Sequence, residues 1–175
     1  VWSFTGGPHW AWEKVGPWTA IDLAPQSART GCVPSDEWVT AAADGIITRA
    51  ERKVVALDLD GDGFEQTGWV LLYVHVQNDG VVHVGDHLKA GDPIGHPTCE
   101  EDPLLSSGTH VHFARKYNGE WMPVRDSVSM ILDGWVVHAG SNPYEGSMTQ
   151  RDQVCTANPF SPATSFVMRP QGNKR

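Results

Sequence analysis

The stretch GTHVHFARK, Gly108 to Lys116, places two histidines two residues apart in a segment with the alternating pattern of a β-strand. Successive side chains of a strand point to opposite faces, so His110 and His112 share one face and the apolar residues Val111 and Phe113 share the other. At about 3.3 Å per residue, the two imidazoles begin roughly 6.6 Å apart. The spacing therefore predicts either two ligands for one metal ion or one ligand beside a catalytic group.

Composition and charge narrow the class of protein. The chain has 175 residues, 40% of them apolar, and it lacks the uninterrupted apolar run of about 18 residues that membrane insertion by a helix needs. The formal charge of -8 argues against nucleic acid as a partner and against charge-driven docking on anionic surfaces. We expect a monomer with a single domain over residues 1–175, its core motifs in residues 2–121 and a turn-rich C-terminal extension in residues 122–175.

Short segments of alternating or β-branched residues recur between glycine, proline, aspartate and asparagine positions. This pattern predicts a mainly β fold, an antiparallel sheet with long loops and few short helices. The candidate strands are Ala20–Ala24, Trp38–Ala42, Gly45–Ala50, Lys53–Leu59, Trp69–Val76, His87–Leu88, Ile94–Gly95, His110–Lys116 and Gly134–Ala139. The best candidate for a short helix is Val124–Leu132.

The segment DLDGDG, Asp58–Gly63, lies between two predicted strands and is typical of a hairpin turn. It also resembles the start of a calcium loop, with Asp58, Asp60 and Asp62 as candidate ligands for Ca²⁺. The twelfth position of such a loop is a glutamate, whereas here it is Trp69. We therefore rank calcium binding below a plain turn.

Three further polar residues lie in unusual surroundings. His75 ends the apolar stretch WVLLYVHV, His9 follows Gly-Gly-Pro, and Asp22 lies between two apolar residues. Taken singly, each is explained by a hydrogen-bonded core histidine or a paired carboxylate. Taken together, His9, Asp22 and His112 make a set of two histidines and one carboxylate, which suits catalytic Zn²⁺ with an open position. No HExxH motif is present, so another group must handle protons.

These residues and their surroundings resemble the lysostaphin-type zinc metalloendopeptidases, most closely the staphylolysin-like branch. The resemblance runs from about Trp2 to Trp121 and rests on FTGGPHW, YVHV, VGDHLKAGDPIGH and SSGTHVHFA. His9 and Asp22 are thirteen positions apart, a longer gap than in many members and one that resembles the staphylolysin-like branch. Thr109 stands where a proline is common.

The resemblance implies an antiparallel β core with a long substrate groove. It implies one Zn²⁺ per chain, bound by His9, Asp22 and His112. It also implies that His75 and His110 form a catalytic pair, for which we interpret His110 as the base and His75 as the partner of the oxyanion or leaving group. The implied reaction is hydrolysis of peptide cross-links of bacterial peptidoglycan, including Gly–Gly bonds, by attack of a zinc-bound water.

Aromatic residues are candidates for the walls of this groove. The set comprises Trp2, Trp10, Trp12, Trp18, Tyr73 and Tyr117. Trp10 is favoured among them because it follows the candidate ligand His9. Ordinary packing is the alternative explanation for each of the others.

The three cysteines indicate the cellular compartment of the protein. Cys32 and Cys99 lie in loops expected at the same end of the sheet, so we predict a disulfide between them, while pairing of either with Cys155 stays open. A disulfide predicts an oxidising compartment. The chain starts without Met or a signal segment, so we expect a processed protein that is secreted or located in the cell envelope.

Two other functions compete with the peptidase. One is a zinc-containing module that has lost catalysis and binds wall peptides or a protein partner. The other is an all-β sugar-binding domain that uses a surface rich in tryptophan, of which the chain has eight. Stoichiometric zinc would exclude the sugar-binding domain, and turnover would separate the other two.

Overall fold

In the computed structural model, residues 1–26, 31–99, 106–125 and 127–159 are described, together with the backbone of residues 166–167. Every regular element in these residues is a β-strand, and none of them lies in a helix that could cross a membrane. The strands, labelled β1 to β15, are Trp2–Trp10, Trp18–Pro25, Val39–Thr40, Gly45–Glu51, Val54–Asp58, Trp69–Val74, His87–Leu88, Pro93–Gly95, Val111–Tyr117, Glu120–Trp121, Met130–Leu132, Trp135–Ala139, Gly146–Gln150, Gln153–Thr156 and Phe166–Val167. The predicted β fold is confirmed.

The strands form three antiparallel sheets. The main sheet has the order β15-β1-β2-β9-β6-β5-β4-β7, with β10 paired to β9. A four-stranded sheet has the order β11-β12-β13-β14, and β3 pairs with β8. The centre of the main sheet is therefore β2, β9 and β6, which come from distant parts of the sequence.

The two faces of these central strands carry different side chains. Ile21, Phe113 and Tyr73 are in register across β2, β9 and β6 and pack in the larger apolar core, on what we call the core face. Asp22 and His112 are also in register with each other, one position along each strand, so they lie on the opposite face. We call this the histidine face.

The predicted short helix over Val124–Leu132 is wrong. Arg125 and Val128 form an isolated β-bridge, and β11 follows. The guanidinium of Arg115, a buried residue of β9, donates to the carbonyl oxygens of Val128 and Ser129. Because a helix would need such carbonyls as acceptors for its own amides, the Arg115 contacts favour the irregular chain path.

The segment DLDGDG closes the turn between β5 and β6, as predicted. Asp58 is fully buried, and its carboxylate accepts hydrogen bonds from the amides of Asp60 at 3.2 Å and Gly63 at 2.9 Å. These bonds stabilise the turn. One oxygen from each of Asp58, Asp60 and Asp62 lies within 4.8 Å of the others. Calcium binding here stays a prediction.

A disulfide joins Cys32 and Cys99, the predicted pair, with the Cα atoms 5.5 Å apart. Cys155 is a buried free thiol.

The C-terminal extension contains the four-stranded sheet, which meets β1 where the amide of Gly7 donates to the carbonyl of Tyr144 at 2.8 Å. The extension thus reaches the segment that carries His9.

Candidate metal centre and active site

Three neighbouring strands bring the predicted metal ligands together. His9 lies on β1 opposite Ala20 of β2, and Asp22 of β2 is in register with His112 of β9. His9 Nε2 is 3.0 Å from His112 Nδ1 and 3.4 Å from Asp22 Oδ1. His112 Nδ1 is 3.1 Å from the same carboxylate oxygen. Three donor atoms therefore converge on one point of the histidine face.

This spacing fits a tetrahedral metal ion. Atoms bound tetrahedrally at about 2.0–2.1 Å lie roughly 3.3 Å from one another, close to the separations in the cluster. The outer nitrogen of each histidine is also held, because His9 Nδ1 donates to Gly7 O at 2.8 Å and His112 Nε2 donates to Ala11 O at 3.0 Å. Such bonds direct the lone pair of the inner nitrogen towards a metal. The donor set fits Zn²⁺.

The glycine pair of FTGGPHW makes room for the cluster. A Cβ added to Gly6 would lie 2.5 Å from Asp22 Oδ2, and one added to Gly7 would collide with the carbonyl of Glu145. A side chain at Gly6 would therefore displace the carboxylate. The Gly-Gly dipeptide was a visible sequence signal for this close approach.

The two predicted catalytic histidines flank the three ligands. His110, directly before β9, has its Nε2 3.6 Å from Asp22 Oδ1, and its Nδ1 donates to Gly108 O at 2.8 Å. The ring centroid of His75 is 4.5 Å from that of His110 and 6.1 Å from that of His112. All five side chains singled out in the sequence thus meet on one face of the sheet.

His75 reaches the histidine face because the alternation of β6 is broken at this residue. Simple alternation places His75 beside Tyr73, yet the Tyr73 ring packs in the core, 5.2 Å from Phe113. The φ of His75 is 68°, in the left-handed region that non-glycine residues rarely adopt. Backbone conformations of this kind concentrate at functional sites, where the surrounding structure maintains them.

The sequence profile of peptidase family M23 matches residues 29–124, more than half of the chain. The chain belongs to peptidase family M23. His75, His110 and His112 lie inside the matched segment, whereas His9 and Asp22 precede it and are brought to the cluster by β1 and β2. The resemblance to lysostaphin-type peptidases is confirmed at the level of the family.

Solved structures extend the comparison. The chain aligns with pseudoalterin, described as a novel M23 metalloprotease from the deep sea, with a TM-score of 0.70, 21% identity and 89% of each chain covered. It also aligns with a putative glycyl-glycine endopeptidase LytM from Ruminococcus gnavus, with a TM-score of 0.34 and 15% identity over 80% of this chain and 43% of that chain. A comparison with curated proteins finds no match. The pseudoalterin alignment supports an M23 fold over nearly the whole chain, and the LytM alignment is too weak to carry an argument.

The electrostatics of the M23 site set the charge of its groups. Burial raises the pKa of the Asp22 carboxyl, but the nearby rings of His110 and His9 outweigh burial and hold that pKa well below its usual value. Burial lowers the pKa of His9, and the Asp22 carboxylate outweighs this so that the net pKa is raised. Burial, with His110 and His112 nearby, lowers the pKa of His75 from 6.5 to about 2. At neutral pH the site therefore holds a carboxylate and a neutral His75.

Tyr144 is a site residue that the sequence interpretation missed. Its ring stacks on His9 with centroids 4.1 Å apart and an interplanar angle of 25°, and 44% of the residue is exposed. The amide of Tyr144 donates to Pro8 O at 3.3 Å, which fixes the loop against the ligand segment. Burial and the Asp22 carboxylate both raise the pKa of its phenol. Tyr144 lies beyond the matched M23 segment, and its sequence surroundings carry no motif.

The loop before β9 is tied down on several sides. Thr109, which departs from the common proline, donates through Oγ1 to Val33 O at 2.6 Å and accepts from Val33 N at 3.1 Å. Val33 follows Cys32, so these bonds and the disulfide hold the same loop. On the other side, Ser106 Oγ lies 3.2 Å from His110 Nδ1. These contacts fix the position of His110.

Two of the predicted groove residues lie on the wrong face. Tyr73 is 2% exposed, and its hydroxyl accepts a hydrogen bond from the amide of Ala42 at 2.8 Å. Tyr117 alternates with His112 along β9 and is therefore also on the core-face side. The prediction that Tyr73 and Tyr117 line a groove at the histidine cluster is wrong, because it did not follow the strand alternation from His112.

The tryptophans divide between the two faces. Trp2 packs against the larger core, whereas Trp12 packs against the smaller apolar cluster of the histidine face. Trp121, which was not predicted, packs against the same cluster. Trp10, at the end of β1 opposite Trp18, stays a predicted groove residue.

Proposed function

We propose that the protein is a zinc-dependent endopeptidase that hydrolyses peptide cross-links of bacterial peptidoglycan. The observation that carries the proposal is the meeting of His9, Asp22 and His112 at 3.0–3.4 Å, with His75 and His110 directly beside them. A structural zinc site has four protein ligands, whereas three ligands next to two further imidazoles match a catalytic site. Membership of a peptidase family supports the same function.

His9, Asp22 and His112 would hold the zinc ion. When bound, zinc polarises a scissile carbonyl and lowers the pKa of a coordinated water. The chain prepares the ligands in advance, because Gly7 O and Ala11 O fix the tautomer of each ligating histidine. Asp22 stays ionised, since its pKa is held well below the usual value.

The remaining two histidines supply the proton transfers. The Nδ1 proton of His110 is held by Gly108 O, so its Nε2 is free of a proton in the neutral ring and faces the cluster. We assign His110 as the base that accepts a proton from the attacking water and returns it to the leaving amine. His75 is neutral and its ring lies beside that of His110, so we assign it as the hydrogen-bond donor to the developing oxyanion.

The substrate assignment rests on the family. Glycine suits a narrow site because no side chain has to be housed, so we propose Gly–Gly bonds as a preferred target. Trp10 and Trp12 are the aromatic candidates for walls of the groove, and Tyr144 adds an exposed ring beside His9. We further propose that the protein acts as a monomer.

The compartment follows from the disulfide. The Cys32–Cys99 bond supports an oxidising location, so we propose secretion or residence in the cell envelope. Bacterial walls that carry anionic polymers would not attract a chain with a formal charge of -8. Recognition must then come from the peptide itself.

The proposal is tested by mass spectrometry of a pentaglycine peptide, a pentaalanine peptide and purified peptidoglycan after incubation with zinc-loaded protein. We expect cleavage of peptidoglycan and of pentaglycine, slower or no cleavage of pentaalanine, and none by His110→Ala. If all substrates stay intact although one zinc is bound per chain, the proposal of an enzyme is overturned in favour of the non-catalytic binding module. Equal cleavage of pentaalanine would overturn only the glycine preference.

A further inference from the structure

A serine hydroxyl lies against the outer ring nitrogen of His110, the residue assigned as the base. Ser106 is half-buried, and its Oγ is 3.2 Å from His110 Nδ1. The same hydroxyl donates to Gly108 O at 2.6 Å and accepts from the Gly108 amide at 3.3 Å. Gly108 O also accepts from His110 Nδ1, at 2.8 Å. A hydroxyl and a carbonyl therefore meet the ring at one nitrogen.

The hydrogen-bonding capacity of the Ser106 hydroxyl is fully used by these contacts. A serine hydroxyl has one proton to donate and two lone pairs that accept. Gly108 O can only accept, and its contact is the shortest of the three, so the hydroxyl proton points to that carbonyl. The lone pairs are left for the Gly108 amide and for His110 Nδ1. Ser106 therefore accepts from the ring, which requires a proton on Nδ1.

The opposite side of the His110 ring favours the other tautomer. His110 Nε2 lies 3.6 Å from Asp22 Oδ1, and the Asp22 carboxyl is ionised at neutral pH. A carboxylate at this distance attracts a proton to Nε2. A neutral ring with its proton on Nε2 has no lone pair there for the proton of the attacking water, so it could not act as the base. The acceptors at Nδ1 therefore have to outweigh the carboxylate.

We propose that Ser106 is a positioning residue that keeps neutral His110 in the tautomer with the proton on Nδ1. It does so directly, as an acceptor for that proton, and indirectly, because its bonds to the amide and the carbonyl of Gly108 hold the second acceptor in place. The lone pair of Nε2 is then kept on the side of the metal centre. This role rests on the proposed function, in which His110 is the base.

The chain offers a matched control in the next residue. Ser107 is exposed and lies outside the network of Ser106, Gly108 and His110. Ser106→Ala and Ser107→Ala remove the same oxygen atom from neighbouring positions of one loop. Ser106→Thr keeps a hydroxyl at the first position. A role of the hydroxyl in the tautomer predicts an effect of Ser106→Ala alone.

The tautomer is measured on the zinc-loaded protein by two-dimensional NMR that correlates the ring nitrogens of His110 with its carbon-bound ring protons. A ring nitrogen that carries a proton differs clearly in chemical shift from one that does not. We expect the Nδ1–H form in the wild type, in Ser107→Ala and in Ser106→Thr. In Ser106→Ala we expect a mixture with the Nε2–H form. Each of these proteins should bind one zinc per chain.

Kinetics with the pentaglycine peptide supplies a second readout. Since a molecule turns over only with the lone pair of His110 on Nε2, Ser106→Ala should lower kcat about tenfold and leave KM nearly unchanged. Ser107→Ala should change neither constant, and Ser106→Thr should restore most of kcat.

The role of Ser106 is overturned if Ser106→Ala keeps the pure Nδ1–H form, if the two alanine variants behave alike, or if the wild type itself holds the Nε2–H form. Loss of zinc or of the fold in Ser106→Ala, with a Ser106→Thr protein that is folded but not in the Nδ1–H form, would also overturn it. If the wild type cleaves no substrate, the proposed function fails, whereas the NMR measurement still decides whether Ser106 sets the tautomer.

Discussion

The histidine face and the core face of the main sheet are built from the same three strands, yet they bury opposite kinds of side chain. On the core face, Ile21, Phe113 and Tyr73 pack against one another as in any apolar interior. On the histidine face, Asp22 and His112 stand one position away on the same strands, where their polar atoms face each other and backbone carbonyls. A buried polar group is costly without such partners. Along these strands, residues that stabilise the apolar core therefore lie one position away from residues of the candidate active site.

The largest difference in peptide cleavage is expected between substitutions at two neighbouring residues of β9, His112 and Phe113. His112→Ala removes a ligand, and we expect loss of zinc binding and of peptide cleavage to background. Phe113→Leu, on the core face of the same strand, should lower the free energy of unfolding by about 1–2 kcal/mol and leave cleavage nearly unchanged. Peptide cleavage assays and denaturant unfolding measure the two. Cleavage retained by His112→Ala would contradict the assignment of His112 as a metal ligand needed for cleavage.

The next effect concerns the two histidines that are not ligands. We expect His110→Ala and His75→Ala to lower kcat about 10²–10⁴-fold, since each removes a proton-transfer or oxyanion partner. Both variants should retain one zinc per chain, because the three ligands are intact. Steady-state kinetics with metal analysis distinguishes this outcome from a loss of zinc, which would make these residues ligands instead.

The disulfide should affect the fold more than the chemistry. The double variant Cys32→Ser with Cys99→Ser opens a loop with a sequence separation of 67 and should lower the free energy of unfolding by about 2–4 kcal/mol. Denaturant unfolding with and without a reductant measures it. The wild type should lose the same amount on reduction, and the variant should not respond. A variant as stable as the oxidised protein would contradict this role.

Two tyrosines with equal exposure sharpen the comparison further. Tyr144 and Tyr117 are 44% and 42% exposed, but Tyr144 stacks on His9 and Tyr117 lies on the core-face side. We expect Tyr144→Ala to lower kcat/KM about tenfold, as is typical for partners of metal ligands. Tyr117→Ala should leave kcat/KM unchanged. Equal effects of the two substitutions on kcat/KM would show that the stacking of Tyr144 on His9 does not contribute to catalysis.

The smallest effect is a pH dependence of stability in zinc-free protein. His75 has a folded pKa of about 2, below its ordinary value of 6.5, so between these values the unfolded chain binds a proton that the folded chain does not. Stability from this group therefore falls as pH falls below about 6.5, by up to about 1.4 kcal/mol per pH unit. His75→Gln should flatten the fall between about pH 5 and 6.5 in denaturant unfolding. Parallel curves for the two proteins would contradict the buried, neutral state of His75.

The order of the motifs, together with the family resemblance, predicted the five side chains that the structure brings together on the histidine face. The HxH spacing placed His110 and His112, and the costly burial of Asp22 in an apolar strand indicated a partner. The prediction failed where the backbone leaves the regular pattern. The left-handed conformation of His75 places its side chain on the face opposite Tyr73, and no residue type in YVHV predicts this conformation.

Other misses have a tertiary origin. The buried guanidinium of Arg115 holds the carbonyls of Val128 and Ser129, which removes the predicted helix although the local sequence allows one. Tyr144 reaches His9 only because the four-stranded sheet docks on β1. Contacts between distant segments of this kind leave no periodic or motif signal in the chain.

The most direct test of the account is the number of zinc ions bound per chain, measured by titration calorimetry and elemental analysis after removal and return of the metal. The account predicts one tightly bound zinc in the wild type and in His110→Ala, and none in His9→Ala, Asp22→Asn or His112→Ala. Zinc retained by all three ligand variants, or absent from the wild type, would contradict the claim that the histidine face is a metal centre.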